Sequence, residues 1–404
     1  LAGRFTESMS TTPVIIEDYV ERITVGAVRG SFNISSTHHV VTSIQFSKLS
    51  QVVSRSLVTG VSEMTIYSAS VTGTVELSQI VARSVKTCCH QQQELVLSAC
   101  TSSDCSTRSE LLLSSAHGII ESISNMPPST LAVSEIKTMV MSITNSQVHA
   151  LSKVTSLVDS PASKDALVDL LRELLAQIMS LLSLLVTSTT NANVDATLIS
   201  TEIIEGLLSG FSHGVSSFLL VGSSGLSASQ IQTVVTNGAK STVAGITAMR
   251  VSGGFNGGSA TLNTGQVSTD IQRASSTWVS SLPTLVASSS TTKVATVKTL
   301  MTSFTSGSMD SIIALPAAQQ GTNTELKLVI GAVSRGTIDG AGVMLANDAT
   351  TYQYFDLDVM ISSTQQAIQP LMTRTIELSA ARSSGGGAWV AADSAAVVRQ
   401  VTQG

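Results

Sequence analysis

Aromatic side chains are scarce in this chain, at 3% of 404 residues. Small-molecule pockets are usually lined by aromatics, so this shortage weakens the case for one, and no small-molecule substrate is evident. Charge is also scarce. Charged residues make up 12%, about half the usual share, and the 22 lysines and arginines form no run. Binding to nucleic acid through a basic face is therefore not expected, whether sequence-specific or not. The 7 prolines and 28 glycines are too few for a collagen-like chain, and they show no triplet period. Histidines number 6, and none follows His213.

No stretch reads as a membrane span. The greasiest segment, 166–186, carries Asp169, Arg172 and Glu173 in its first half, and its uncharged remainder is short for a bilayer core of ~30 Å. The first ten residues, LAGRFTESMS, start with Leu and hold no apolar leader. A virion or extracellular setting is favoured over the cytoplasm, mainly on composition.

Hydroxyls are plentiful: the chain holds 66 Ser and 46 Thr. Hydrophobic residues still reach 43%, mean hydropathy is +0.32 and net charge is only −5. Intrinsic disorder requires the opposite balance, so this chain can bury a core. The length suggests about two to three domains.

Periodicity divides the chain into four regions. Residues 1–75 read as strand-rich, because RITVGAVRGSFNIS, HHVVTSIQF and EMTIYSASVTGTVEL alternate apolar and polar positions. Gly30 and Gly73 fall at expected turns. Residues 76–252 read as a helical middle. Its clearest element runs over about 161–186, capped by Ser160 with Pro161 as first residue; leucines cover most of its circumference, which predicts a central, buried helix. Ser227 or Ser229 is placed to cap a later helix. Residues 253–324 hold the flexible GGFNGG segment and a mixed helical and loop region. Residues 325–404 return to strand character in ELKLVIGAV, TYQYFDLDVMIS and LMTRTIELSA, with Asp339-Gly340 as a tight turn. The expected class is α+β, with strand-rich N- and C-terminal regions sharing one sheet beside a mainly helical middle. A weak internal similarity about 95 residues apart aligns His117 with His213 and Ile136 with Ile231.

Few motifs carry chemistry. Gly210-Phe211-Ser212-His213-Gly214 matches the G-x-S-x-G nucleophile elbow, but the hydrolase order requires an acid and a His later in the chain, and no later His exists. S-x-x-K occurs at Ser134–Lys137 and Ser290–Lys293; with 66 Ser and 9 Lys, one or two such matches arise by chance. Cys88, Cys89, Cys100 and Cys105 lie within eighteen residues. They read as free buried thiols first, a disulfide pair of staples second, and a metal site last, since adjacent cysteines diverge and fit paired zinc spacing poorly. His38 and His39 would point to opposite strand faces. Tyr352, Tyr354 and Phe355 form the aromatic cluster and are candidates for a subunit contact. No metal or cofactor is indicated.

The combination suggests a non-enzymatic structural subunit that binds copies of itself. Small side chains allow close approach, low charge weakens repulsion between copies, and strand-rich ends offer edges for pairing. A capsid-like shell or coat leads on this reading. A secreted fibre or matrix protein of silk-like composition is the alternative, and a serine hydrolase using the GFSHG stretch comes last.

Overall fold

A computed structural model of the chain describes residues 20–30, 43–72, 74–99, 105–125, 133–157, 160–189, 202–207, 209–210, 226–249, 251–252, 261–262, 264–286, 290–315, 323–351, 355, 357–382, 395–396 and 398–399. The expected α+β class is wrong: 97% of the described residues are helical. The helices are α1 (20–30), α2 (Ser43–Thr72), α3 (Thr74–Ala99), α4 (Cys105–Ser124), α5 (Val133–Leu157), α6 (Pro161–Thr189), α7 (202–207), α8 (Ala228–Met249), α9 (Thr264–Ser281), α10 (Ser290–Ala314), α11 (Asn323–Thr351) and α12 (Leu357–Arg382). The β structure among the described residues is one antiparallel ladder of two residues per strand, β1 (Val251–Ser252) with β2 (Thr261–Leu262). The GGFNGG segment lies between these two strands in sequence, outside the described residues.

The strand-like ends are helices because hydroxyls occupy core positions. In α1 the buried residues are Val20, Thr24 and Val28, spaced at i, i+4 and i+8, while Ile23 is half exposed. Thr24 donates its hydroxyl to the Val20 carbonyl at 2.7 Å. A threonine satisfied by its own helix can be buried at little cost. In α2 the buried face is Ser50, Ser54, Val58 and Val61. In α12 it is Met360, Ser363, Ala367, Leu371 and Thr375. Counting Ser and Thr as polar turns each of these helical faces into a false alternation. In α11 the error has a second source. Residues 329–334 are all buried, so the helix has no polar face there to reveal its period. The Asp339-Gly340 pair is not a turn; both residues lie within α11.

Local signals were informative where caps are present. Helix α6 starts at Pro161 with Ser160 before it. For α8, Ser227 is the cap: its Oγ accepts from the Gln230 backbone N–H at 3.3 Å, and Gln230 Oε1 accepts from the Ser227 backbone N–H at 2.9 Å. That is a reciprocal capping box. Ile136 and Ile231, aligned by the internal similarity, are both buried, on α5 and α8 respectively.

The chain divides into two compact units, one comprising Leu1–Leu170 with Ser180–Ser217, the other Leu171–Met179 with Phe218–Gly404. Both contain the same packing relation: several helices lie parallel to the helix two places along. In the first unit, the pairs Ser50–Leu111, Ser54–Ser115 and Thr59–Ser122 advance together along α2 and α4. The same relation joins α1 to α3 through Thr24–Ser84 and Arg29–Gln91, and α5 to α7 through Lys137–Glu205. In the second unit it joins α9 to α11 through Ser268–Leu328 and Gln272–Asp339, and α10 to α12 through Thr305–Ala367. Helices α2, α3 and α4 start 31 residues apart, so bonds across two steps span 60 to 70 residues.

Small residues make these seams possible. A Cβ on Gly118 would overlap the Gln51 carbonyl, one on Gly307 the Thr236 carbonyl, and one on Gly336 the Gln272 carbonyl. Cβ atoms on Gly206 and Gly210 would come within 2.6 Å of Lys137 O and 2.5 Å of Met141 O. Parallel helices touching through Cα–H and carbonyl groups gain a weak hydrogen bond at each contact. Gly342, by contrast, is an exposed helical glycine with no atom near its missing Cβ. Gly336→Ala is therefore expected to destabilise by ~1–3 kcal/mol through overpacking. Gly342→Ala, in the same helix, should stabilise by about 0.5–1 kcal/mol through helix propensity. Urea denaturation midpoints of the two variants, moving in opposite directions from wild type, check both.

Candidate functional site

The cysteine cluster is the natural starting point. Cys88 and Cys89 are free and fully buried on α3. Successive helical residues point about 100° apart, and α3 is flanked on both sides, so each thiol enters a different seam. Cys88 sits near Ser54 of α2 and accepts from Gln92 Nε2 at 3.5 Å. Cys89 meets Ser146 of α5. Burial and the neighbouring Cys89 push the Cys88 thiol far above its ordinary value. Burial pushes Cys89 up to about 12, against the lowering effect of its bond with Ser146. Thiols held protonated are poor nucleophiles and poor metal ligands. Cys100 lies outside the described residues, and of Cys105 only its place at the start of α4 is described. No group of three His, Cys, Asp or Glu able to hold a metal occurs among the described residues.

Other sequence candidates are scattered. His38, His39, Ser212, His213, Tyr352 and Tyr354 lie outside the described residues. The described part of GFSHG is Gly210, which closes against Met141 of α5 and is preceded by helical residues 202–207. A nucleophile elbow needs a strand in that place. Lys137 of the first S-x-x-K is engaged with Glu205 at 2.6 Å and Glu202 at 3.5 Å. Its bond to Glu205 lifts its ammonium above the usual lysine value, the reverse of what a catalytic base requires. Lys293 of the second is buried in α10. Phe355 is buried within the chain. Trp278 of α9 and Phe304 of α10 form a core ring pair that spacing along the chain did not suggest, with centroids 6.1 Å apart. Trp278 lies over Gly238 and donates its indole N–H to Thr242 at 3.2 Å. Helix α11 is long and apolar enough over Glu325–Asn347 to cross a membrane, yet that window is 61% buried inside the protein. Core helices pass the same length and composition test.

The polar groups that do converge form clasps on the parallel seams. Beside Gly118, Gln51 Nε2 donates to His117 Nδ1 at 2.9 Å and to Glu121 Oε2 at 3.3 Å, while Arg55 donates to Glu121 Oε1 at 3.1 Å. Beside Gly336, Gln272 donates to Asp339 at 2.8 Å and accepts from Arg335 at 3.3 Å. Near Gly307, Asp310 pairs with Arg374 at 2.7 Å. The sequence signal is a seam glycine followed three residues later by an acid: Gly118–Glu121, Gly307–Asp310 and Gly336–Asp339. This recurrence across three helices was missed because each instance alone looks ordinary. Some buried polar atoms have no clasp: both amide atoms of Gln147 and the hydroxyls of Thr144, Ser275 and Ser308 lack a hydrogen-bond partner among the described residues.

No protein-family model matches the chain, and no curated protein shows significant similarity to it. The site's character therefore rests on its own geometry: inert thiols, paired charges and small-residue seams.

Two outcomes follow for this site. Iodoacetamide applied to the native protein should leave Cys88 and Cys89 unlabelled, with both labelled in denaturant; peptide mass spectrometry reads each position. Partial burial alone would raise the Glu121 carboxyl. The bonds from Arg55 and Gln51 outweigh it and hold the group below the usual carboxylate range. Its stabilising contribution is thus present above the ordinary Glu value near 4.3 and is lost as pH falls through the lower folded value. Because the pair is partly exposed, Glu121→Gln should cost ~0–1 kcal/mol at pH 7 and flatten the acid limb of a stability–pH curve.

Proposed function

We propose that the chain is a non-enzymatic structural subunit, a helical building block that assembles with copies of itself. The observation that carries this reading is the repeated parallel seam. Among the described residues, sustained interhelix packing joins helices one or two places apart within each unit. Proteins built this way gain stability from each added neighbour and present long faces instead of a single cleft. Their usual roles are scaffolding and assembly.

The preference between shell and fibre shifts with the fold. The capsid-like reading drew on a β–α–β plan with strand edges, and that plan is gone. The filament or matrix reading drew on helical modules and the Ser/Thr excess, and both remain. Interior hydroxyls bonded to their own helix, as in Thr24, Thr247, Thr337 and Thr375, suit a protein whose interior is made of close helix contacts instead of large anchors.

Size-exclusion chromatography with light scattering, followed by negative-stain microscopy, tests this. The expected result is a concentration-dependent mass above that of one chain and elongated particles. Closed regular particles would restore the shell reading. A monomer at every concentration would overturn self-assembly altogether.

A further inference from the structure

Among the described residues, one side chain has its whole polar head buried and unbonded. Gln147 of α5 is 0% exposed, and both its Oε1 and its Nε2 lack a hydrogen-bond partner. The other orphaned atoms differ in kind. Gln92 bonds Ser54 and Cys88 through its Nε2, and Arg374 reaches Asp310 through its Nη2, so each keeps part of its head paired. Ser275 and Ser308 contribute one hydroxyl each.

Helix geometry defines the setting of Gln147. Ile136, Val140, Ile143 and Val154 fall within about 40° of it around the α5 axis, and all four are buried. The amide therefore stands on the apolar face of α5, where an unbonded polar group is most costly. Thr144, three residues earlier, is its neighbour on the helix surface. Thr144 is also 0% exposed, and its Oγ1 is unbonded too. Ala150, three residues later and buried, sets only a methyl group beside the amide. Three hydrogen-bonding atoms thus share one enclosed patch, with short side chains on the turns before and after Gln147.

The chemistry of those atoms selects the ligand. An amide nitrogen donates, an amide oxygen accepts, and a hydroxyl does either. A ligand that serves all three must both donate and accept. None of the three atoms is charged, so an ion gains nothing there. Both residues are closed off from solvent, so the ligand must be small enough to be enclosed as the chain folds. Water meets each requirement. A buried water typically makes about three hydrogen bonds, which matches the three atoms that lack partners.

We propose that Gln147 and Thr144 hold one internal water molecule in the core of the first unit. The water accepts from Gln147 Nε2, donates to Gln147 Oε1 and bonds Thr144 Oγ1. This site does not depend on the assembly reading, and a monomeric chain would hold it equally.

The test uses the full chain in solution and two variants, Gln147→Leu and Thr144→Val. NMR of protein isotopically labelled at the glutamine side-chain nitrogens should show cross-peaks between the Gln147 Nε2 protons and a long-lived water. Relaxation dispersion of the water oxygen counts long-lived waters, and Gln147→Leu should lower that count by about one. Thr144→Val keeps the shape and removes the hydroxyl, and it should shorten the residence time of this water roughly three- to tenfold, the share of one hydrogen bond. A Gln147 amide with no cross-peak to water would overturn the proposal. So would an unchanged count in Gln147→Leu, or an unchanged residence time in Thr144→Val. If Gln147→Leu fails to fold, the wild-type cross-peak and the Thr144→Val residence time decide: both as expected support the site, and failure of either refutes it.

Discussion

The close parallel contact between a helix and its neighbour two places along is the constraint on which the rest depends. At Gly118 against Gln51 and Gly336 against Gln272, backbone meets backbone with no room for a methyl group. Such proximity excludes large side chains from the seam, which explains why so few are present. It also places hydroxyls where other proteins place leucines. Many seam hydroxyls return the proton to their own helix, as Thr24 does, bond the facing carbonyl, as Ser50 does to Leu111, or pair with the facing hydroxyl, as Ser54 and Ser115 do at 2.6 Å. Desolvation is thereby offset without a long side chain. The light, hydroxyl-rich composition and the architecture are two descriptions of the same solution.

Specificity of register must come from elsewhere, because small residues pack nearly as well one turn away. The clasps supply it. Arg55–Glu121, Lys137–Glu205, Gln272–Asp339 and Asp310–Arg374 each sit next to a seam and cross it. Partly exposed pairs of this kind contribute little to net stability. A one-turn slip of about 5.4 Å, however, would separate every one of them. With charges at 12% of the chain, several of the available ones are used to set alignment. This account also explains the absence of an obvious reactive centre among the described residues: Lys137 and Glu121 have their partners, and the two buried thiols are kept protonated by desolvation.

How much of this was legible in the sequence varies with the residue. Helix α6 was readable because Pro161 marks its start and leucines, not threonines, fill its buried face. The start of α8 was readable to within two residues, and Gln230 three places after Ser227 was the cue that distinguishes the two candidate caps. Helices α1, α2, α11 and α12 were misread as strands. In α1 and α12 the buried positions include Thr24, Ser363 and Thr375, which a binary apolar/polar pattern assigns to the wrong face. In α11 the run Val329 to Ser334 is enclosed on all sides, and a fully enclosed helix has no period to detect. Length would have decided the matter, since 29 residues far exceed any ordinary strand. The divergence of Cys88 and Cys89 followed from adjacency alone. Their place in two separate seams did not, because it depends on α3 being flanked by both α2 and α5.

The same reasoning supports the proposed assembly. A helix whose seam face is made of small residues and hydroxyls looks much the same to a helix of its own chain and to one from another copy. Within a unit, connections of limited length bias the choice towards the nearby partner by raising its effective concentration. What separates an internal contact from an external one is then the connectivity of the chain, not the chemistry of the surface. A protein with this interior needs its outer faces charged to remain solitary.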